Sequence, residues 1–185
     1  IRDIRASEKR VYMKVRDIFA TSVDYDSRSE QAERFFKSVQ NKLHYSVHGH
    51  TAPELIVERA DAEKNNMGLT SFKGAKVRKS DVTVAKNYLT KEEIDNLNRI
   101  VTMYLDYAED QAKQHIPMYM NDWEQRLDAF LQFTGRKVLN NAGTITRDVA
   151  DKFAKEQYEI FNRHRHSLEE HEESVWDSLP VLPQK

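Results

Sequence analysis

Ile94, Leu97, Val101, Leu105 and Ala108 recur at the three- and four-residue spacing of a single helix face, with Glu, Asp and Lys on the other side. Thr90-Lys-Glu-Glu93, just ahead of them, has the form of a capping box. The spacing predicts a helix over 91–115, stopped by Pro117. Three further segments carry the same rhythm. Ala32, Phe35, Phe36, Val39, Leu43 and Val47 predict a helix over 30–47 that Gly49 ends, and Trp123, Leu127, Phe130 and Leu131 predict one over 121–133 that Gly135 ends. Val149, Phe153, Tyr158 and Phe161 form the expected inner face of a long final helix opened by Thr146. Thr51-Ala-Pro-Glu54 is a second capping box, with the Thr hydroxyl as cap, starting a helix that carries Leu55, Ile56 and Ala60 to about residue 62. Ser80-Asp81 is placed to cap a short helix through Tyr88, and 63–74 is the longest irregular stretch.

These patterns predict an all-α bundle of about six to seven helices. Composition agrees: 5 Gly and 4 Pro are too few for the many turns of a sandwich or barrel. Eight Phe, 8 Tyr and 2 Trp supply a core, although only 39% of residues are apolar and 32% are charged. Tyr104, Tyr107, Tyr119, Trp123, Phe130 and Phe133 are spaced as packing faces of helices and read as core. The absence of Cys excludes disulfides, zinc fingers, iron–sulfur clusters and thiol nucleophiles, and fits a reducing cytoplasm, the expected location. No run of 18 apolar residues is present to span a membrane, and no signal peptide is visible.

Ile1, Ile4, Val11, Val15 and Ile18 already run at helical spacing from the first residue, and no Met or capping residue precedes them. This predicts a long, coiled-coil-like amino-terminal helix continuing from a longer parent polypeptide. Written as heptads, 1, 8 and 15 take one seam site and 4, 11 and 18 the other, with Glu8 the only break. Such a seam zips onto a second copy, giving a homo-oligomer, or packs on its own domain. The expected organisation is an amino-terminal helix (1–22), a helical domain (23–162) and a polar tail (163–185). The tail holds His164, His166, His171 and a run of Glu, and reads as solvated or frayed.

Six segments, in order, resemble a known family. They are Ile1-Arg-Asp-Ile-Arg-Ala-Ser-Glu-Lys-Arg10, Thr51-Ala-Pro-Glu-Leu-Ile56, Met67-Gly-Leu-Thr70, Asp81-Val-Thr-Val-Ala-Lys-Asn-Tyr-Leu89, Asn98-Arg-Ile-Val-Thr-Met-Tyr-Leu-Asp-Tyr-Ala-Glu109 and Pro117-Met-Tyr-Met-Asn-Asp-Trp123. Together, from Ile1 to about Phe161, they are similar to the C-terminal region of the bacterial RhuM family of virulence proteins. The resemblance implies a bacterial, cytoplasmic protein in which a small DNA-binding domain precedes this portion, encoded near mobile elements or restriction–modification genes. Some relatives are joined to Fic-type domains, whose signature sets a Gly-Asn-Gly-Arg loop after a His. Here His50 is followed by Thr-Ala-Pro-Glu, so that activity is not carried over. The family supplies no catalytic residues to transfer.

The net charge of −1 conceals a pattern. Residues 64–91 carry Lys64, Lys73, Lys76, Arg78, Lys79, Lys86 and Lys91 against Asp81 alone, whereas 92–130 hold nine acidic side chains against three basic. The two segments form a polar binding surface or, more plainly, neutralise each other. Within the basic run, Lys73, Lys76, Arg78 and Lys79, beside Gly74 and Phe72, are the candidate contacts for nucleic-acid phosphates. No P-loop string is present.

A second candidate is the cluster His44, His48, His50, Glu54, Glu58, Arg59 and Asp61. His44 and His48, four residues apart, have the spacing for two imidazoles to share a metal, with His48, His50, Glu58 and Asp61 as candidate catalytic groups. The zincin pattern is absent, because His44-Tyr-Ser-Val-His48 lacks the internal Glu, and ordinary surface and capping roles suit the same residues. No cofactor is implied, and no nucleophile–base arrangement stands out. The expected function is a non-catalytic helical interaction or oligomerisation module of a DNA-associated bacterial protein. The alternative is a metal-dependent nucleic-acid-processing enzyme using the cluster from His44 to Asp61.

Overall fold

The computed structural model describes residues 13–14, 16–26, 28–141 and 143–177, with side chains at 169 and 172–177 excepted. Among the described residues there are six helices and no strand. Helix α1 comprises the helical residues 13–14 and 16–19. It is followed by α2 (Glu30–His48), α3 (Ala52–Arg59), α4 (Lys91–Lys113), α5 (Met120–Phe133) and α6 (Arg147–Asp177). Short 3₁₀ turns lie at Asn65–Gly68 and Ala85–Tyr88. No helix among the described residues is long and apolar enough to cross a membrane.

The capping chemistry accounts for the helix boundaries. The Ser29 hydroxyl accepts from the Ala32 N–H and starts α2, and Gly49, at φ +76°, closes it while donating its N–H to the Tyr45 carbonyl. Thr90 and Glu93 form the complete reciprocal box that opens α4. At α3, Glu54 accepts from the Thr51 N–H at 2.8 Å, and the Thr51 side chain meets the Glu54 backbone in a looser contact that completes the expected box.

The helices bury two apolar cores. In the first, Ile18 and Phe19 of α1 pack with α2 (Phe35, Val39, Leu43), α4 (Leu97, Ile100, Tyr104, Leu105) and α5 (Trp123, Leu127, Leu131). Phe19 is its aromatic hub, edge-on to Phe35 at 4.5 Å and to Trp123 at 5.6 Å. Lys42, nearly buried, ties α2 to Asp128 of α5 at 2.6 Å. Of the amino-terminal seam, Ile18 lies in this core, whereas Ile1, Ile4, Val11 and Val15 fall outside the described residues. The second core joins Ile56 of α3 and Ala60 at its C-cap, Met67, Leu69, Val77, Val82 and Tyr88 of the intervening loops, and Ala150 and Ala154 of α6.

Several expectations are corrected here. Val149 is exposed, and the inner face of α6 is Ala150, Phe153, Ala154, Tyr158 and Phe161, because the helix turns that side toward α3 and the second core. Tyr119 and Phe133 are also exposed, so they are not core, while Tyr104 and Trp123 are fully buried. No α-helix runs from Ser80 to Tyr88. Asp81 accepts from the Arg78 N–H in a turn, Val82 enters the core, and only the last four residues form a 3₁₀ turn. Three consecutive β-branched residues (Val82, Thr83, Val84) disfavour helix there. The His-rich segment lies in α6, which reaches Asp177, and its His164, His166 and His171 are exposed, in keeping with a solvated segment.

Candidate functional site

The His44–Asp61 cluster lies where the two cores meet, because Gly49 turns the chain from α2, in the first core, into α3, in the second. His44, His48 and His50 form a row, with ring centroids 6.4 Å and 6.1 Å apart. His48 Nδ1 accepts from the His50 N–H at 3.3 Å, and its buried Nε2 has no hydrogen-bond partner. Burial, reinforced by the neighbouring His44, lowers the His48 pKa to about 4, so this ring is neutral at physiological pH. His50 Nδ1 stands 3.4 Å from Glu58.

Arg59 sits at the centre of the junction. Its guanidinium donates to both carboxylate oxygens of Glu93 at 2.6 Å and to the Tyr88 carbonyl at 2.8 Å. Glu93 therefore caps α4 and binds α3 at once. The Arg59 hydrogen bonds hold its pKa down to about 2, and the same contact raises that of Arg59. Glu54 is also doubly engaged, accepting from the Thr51 N–H and from both the N–H and hydroxyl of Thr144 at 2.7 and 2.9 Å. Those bonds, the backbone N–H groups foremost, lower its pKa to about 2. Asp61 turns away, accepting from the Glu63 N–H at 3.0 Å and pairing with Lys64 at 3.6 Å. The expected catalytic set of His48, His50, Glu58 and Asp61 is thus only partly assembled: His50 meets Glu58, and Asp61 serves a different turn. Among the described residues, no three His, Asp or Glu side chains form a group that could hold a metal ion.

The basic loop has a different construction. Lys73, Lys76, Arg78 and Lys79 are all exposed, and between them Val77 is buried in the second core. Arg165 of α6 donates to the Val77 carbonyl at 3.4 Å, lies 5.7 Å over the Phe161 ring and bonds Asn162. Lys79 reaches the same helix, 2.5 Å from Glu159. The acidic partner of Lys79 is therefore on α6.

Several residues at these sites escape a sequence reading. Glu93 reads as a cap alone, Thr144 as a linker, and Arg165 and Glu159 as a solvated helix. Their partners lie 34 to 90 residues away along the chain, where local spacing carries no signal.

Comparison with curated proteins and with solved structures finds no match. The sequence profile of the virulence protein RhuM family matches residues 1–169, somewhat beyond the stretch to Phe161 that the six segments mark out. That match spans all of the described helical cores, and the chain belongs to the virulence protein RhuM family.

Proposed function

We propose that this chain is a non-catalytic helical interaction module of a DNA-associated bacterial protein, and that its basic loop contacts nucleic-acid phosphates. The observation that supports this reading most is the anchoring of the loop. Buried Val77 and the Arg165 clamp on its carbonyl hold the backbone to α6, while the Lys73, Lys76, Arg78 and Lys79 side chains stay exposed on either side. An anchored loop presents its charges without a large ordering cost on binding. Phosphate contacts of this kind position a protein on DNA and read no sequence. Base reading belongs, in this proposal, to the DNA-binding domain that the family resemblance implies.

The non-catalytic side of the reading rests on the junction cluster. Glu54, Arg59 and Asp61 are engaged in caps and ion pairs that hold elements together. The metal-dependent enzyme reading needs those groups turned toward a shared ligand. Homo-oligomerisation through the amino-terminal seam belongs to the same proposal, although its Ile18 is packed in the chain's own core.

Replacing Lys73, Lys76, Arg78 and Lys79 with Gln tests the loop. Each neutralised phosphate steepens the dependence of log affinity on log salt by about 0.9. The variant should bind any DNA duplex more weakly, with a salt slope flatter by up to about 3–4 units. An unchanged slope removes the loop from the binding surface.

A further inference from the structure

We propose that Glu159 is a built-in competitor for phosphate: its carboxylate occupies Lys79, and a nucleic-acid phosphate must displace it to engage that lysine. This deepens the loop reading and rests on it. The geometry is specific to one pair. Lys79 Nζ lies 2.5 Å from Glu159 Oε1, across 80 residues of sequence, and both side chains are about half exposed. A carboxylate at that distance presents an ammonium with the charge and oxygen acceptor that a phosphate oxygen would present. Because both groups are reachable from solvent, a phosphate can approach Lys79 without unfolding the loop. The clamp from Arg165 to the Val77 carbonyl keeps residues 77–79 on α6, so Lys79 is held where Glu159 can meet it. Arg165 is thus a positioning residue, and Glu159 sets how many of the loop's charges are available.

The expected effect follows from exchange. If Lys79 must leave Glu159 before binding phosphate, the ion pair is lost on binding, and the freed carboxylate takes up a cation that offsets part of the counterion release from the DNA. Removing the carboxylate makes that contact additive with the others. Glu159→Gln should therefore tighten binding to a random-sequence DNA duplex by roughly two- to five-fold, the range that an exposed ion pair allows. It should also steepen the salt slope by up to about 0.9.

Glu156 supplies the control. It lies one turn away on the same helix, near Lys152 at 4.0 Å, and removing it changes net charge equally without releasing Lys79. Duplex affinity is measured against salt for the full chain and for Glu159→Gln, Glu156→Gln and Glu159→Gln/Lys79→Gln. The proposal expects the gain in Glu159→Gln alone, a smaller one in Glu156→Gln, and its cancellation by Lys79→Gln. Equal effects of Glu156→Gln and Glu159→Gln, or a gain that survives Lys79→Gln, would overturn it. If Glu159→Gln changes nothing while the fourfold Gln variant still flattens the slope, the competitor is wrong and the binding loop stands. If the fourfold variant also changes nothing, the loop reading itself falls.

Discussion

At the scale of single residues, His48 is the group whose environment departs furthest from what its sequence position suggests. Its i+4 relation to His44 invites a metal, yet the fold places it in the junction with Nε2 buried and its pKa lowered to about 4, mainly by burial. A histidine with a folded pKa below its ordinary 6.5 binds its proton more readily in the unfolded chain. Stability from this group is therefore constant above pH 6.5 and falls as pH drops from 6.5 toward 4. The full shift corresponds to about 3 kcal/mol, an upper value because solvent screens a ring that is only partly buried. Glu54 and Glu93, both lowered to about 2, contribute stability that is lost at lower pH, as the solution passes from 4.5 toward 2. Between pH 6.5 and 4.5 the loss from His48 therefore precedes that from Glu54 and Glu93. Urea unfolding of His48→Gln should show less pH dependence there than the parent, which loses stability. A parent whose stability is flat across that window would place His48 in solvent.

Helices and turns show where legibility in the sequence stops. Capping boxes and three-four faces located α2, α4 and α5 within a few residues, because those signals are local. The loops between α3 and α4 were not legible. Their conformation is set by burial of Met67, Val77 and Val82 against helices distant in sequence, which overrides the apparent cap at Ser80-Asp81. Asn66, Met67 and Gly68 all adopt positive φ, and a Cβ on Gly68 would lie 2.3 Å from the Arg59 carbonyl oxygen. Gly68 is needed for both backbone hand and close approach. Gly68→Ala should cost at least about 1–2 kcal/mol in thermal or urea unfolding. Stability equal to the parent would mean that the turn does not press on α3. Similarly, α6 could be foreseen as a long helix with Phe153, Tyr158 and Phe161 inward, but its fully buried residues are the small Ala150 and Ala154, which an apolar-size rule passes over in favour of Val149.

Across the whole molecule, two cores are joined by a polar junction, and a charged loop is fixed to the outside of one of them. Residues of both candidate sites drawn from the sequence also hold elements of the fold together. The histidine and carboxylate cluster links α3 and α4 through Arg59 and Glu93, while the basic loop is mounted on α6. What the sequence could not show is long-range pairing: Arg59 with Glu93, Glu54 with Thr144, and Lys79 with Glu159. The central claim is that binding belongs to the loop and structure to the junction. Amide hydrogen exchange of the full chain, alone and with a saturating short DNA duplex at low salt, tests it most directly. Slowed exchange on duplex binding is expected across residues 71–81, with 44–61 unchanged. Slowed exchange across 44–61 with the loop unaffected would contradict it.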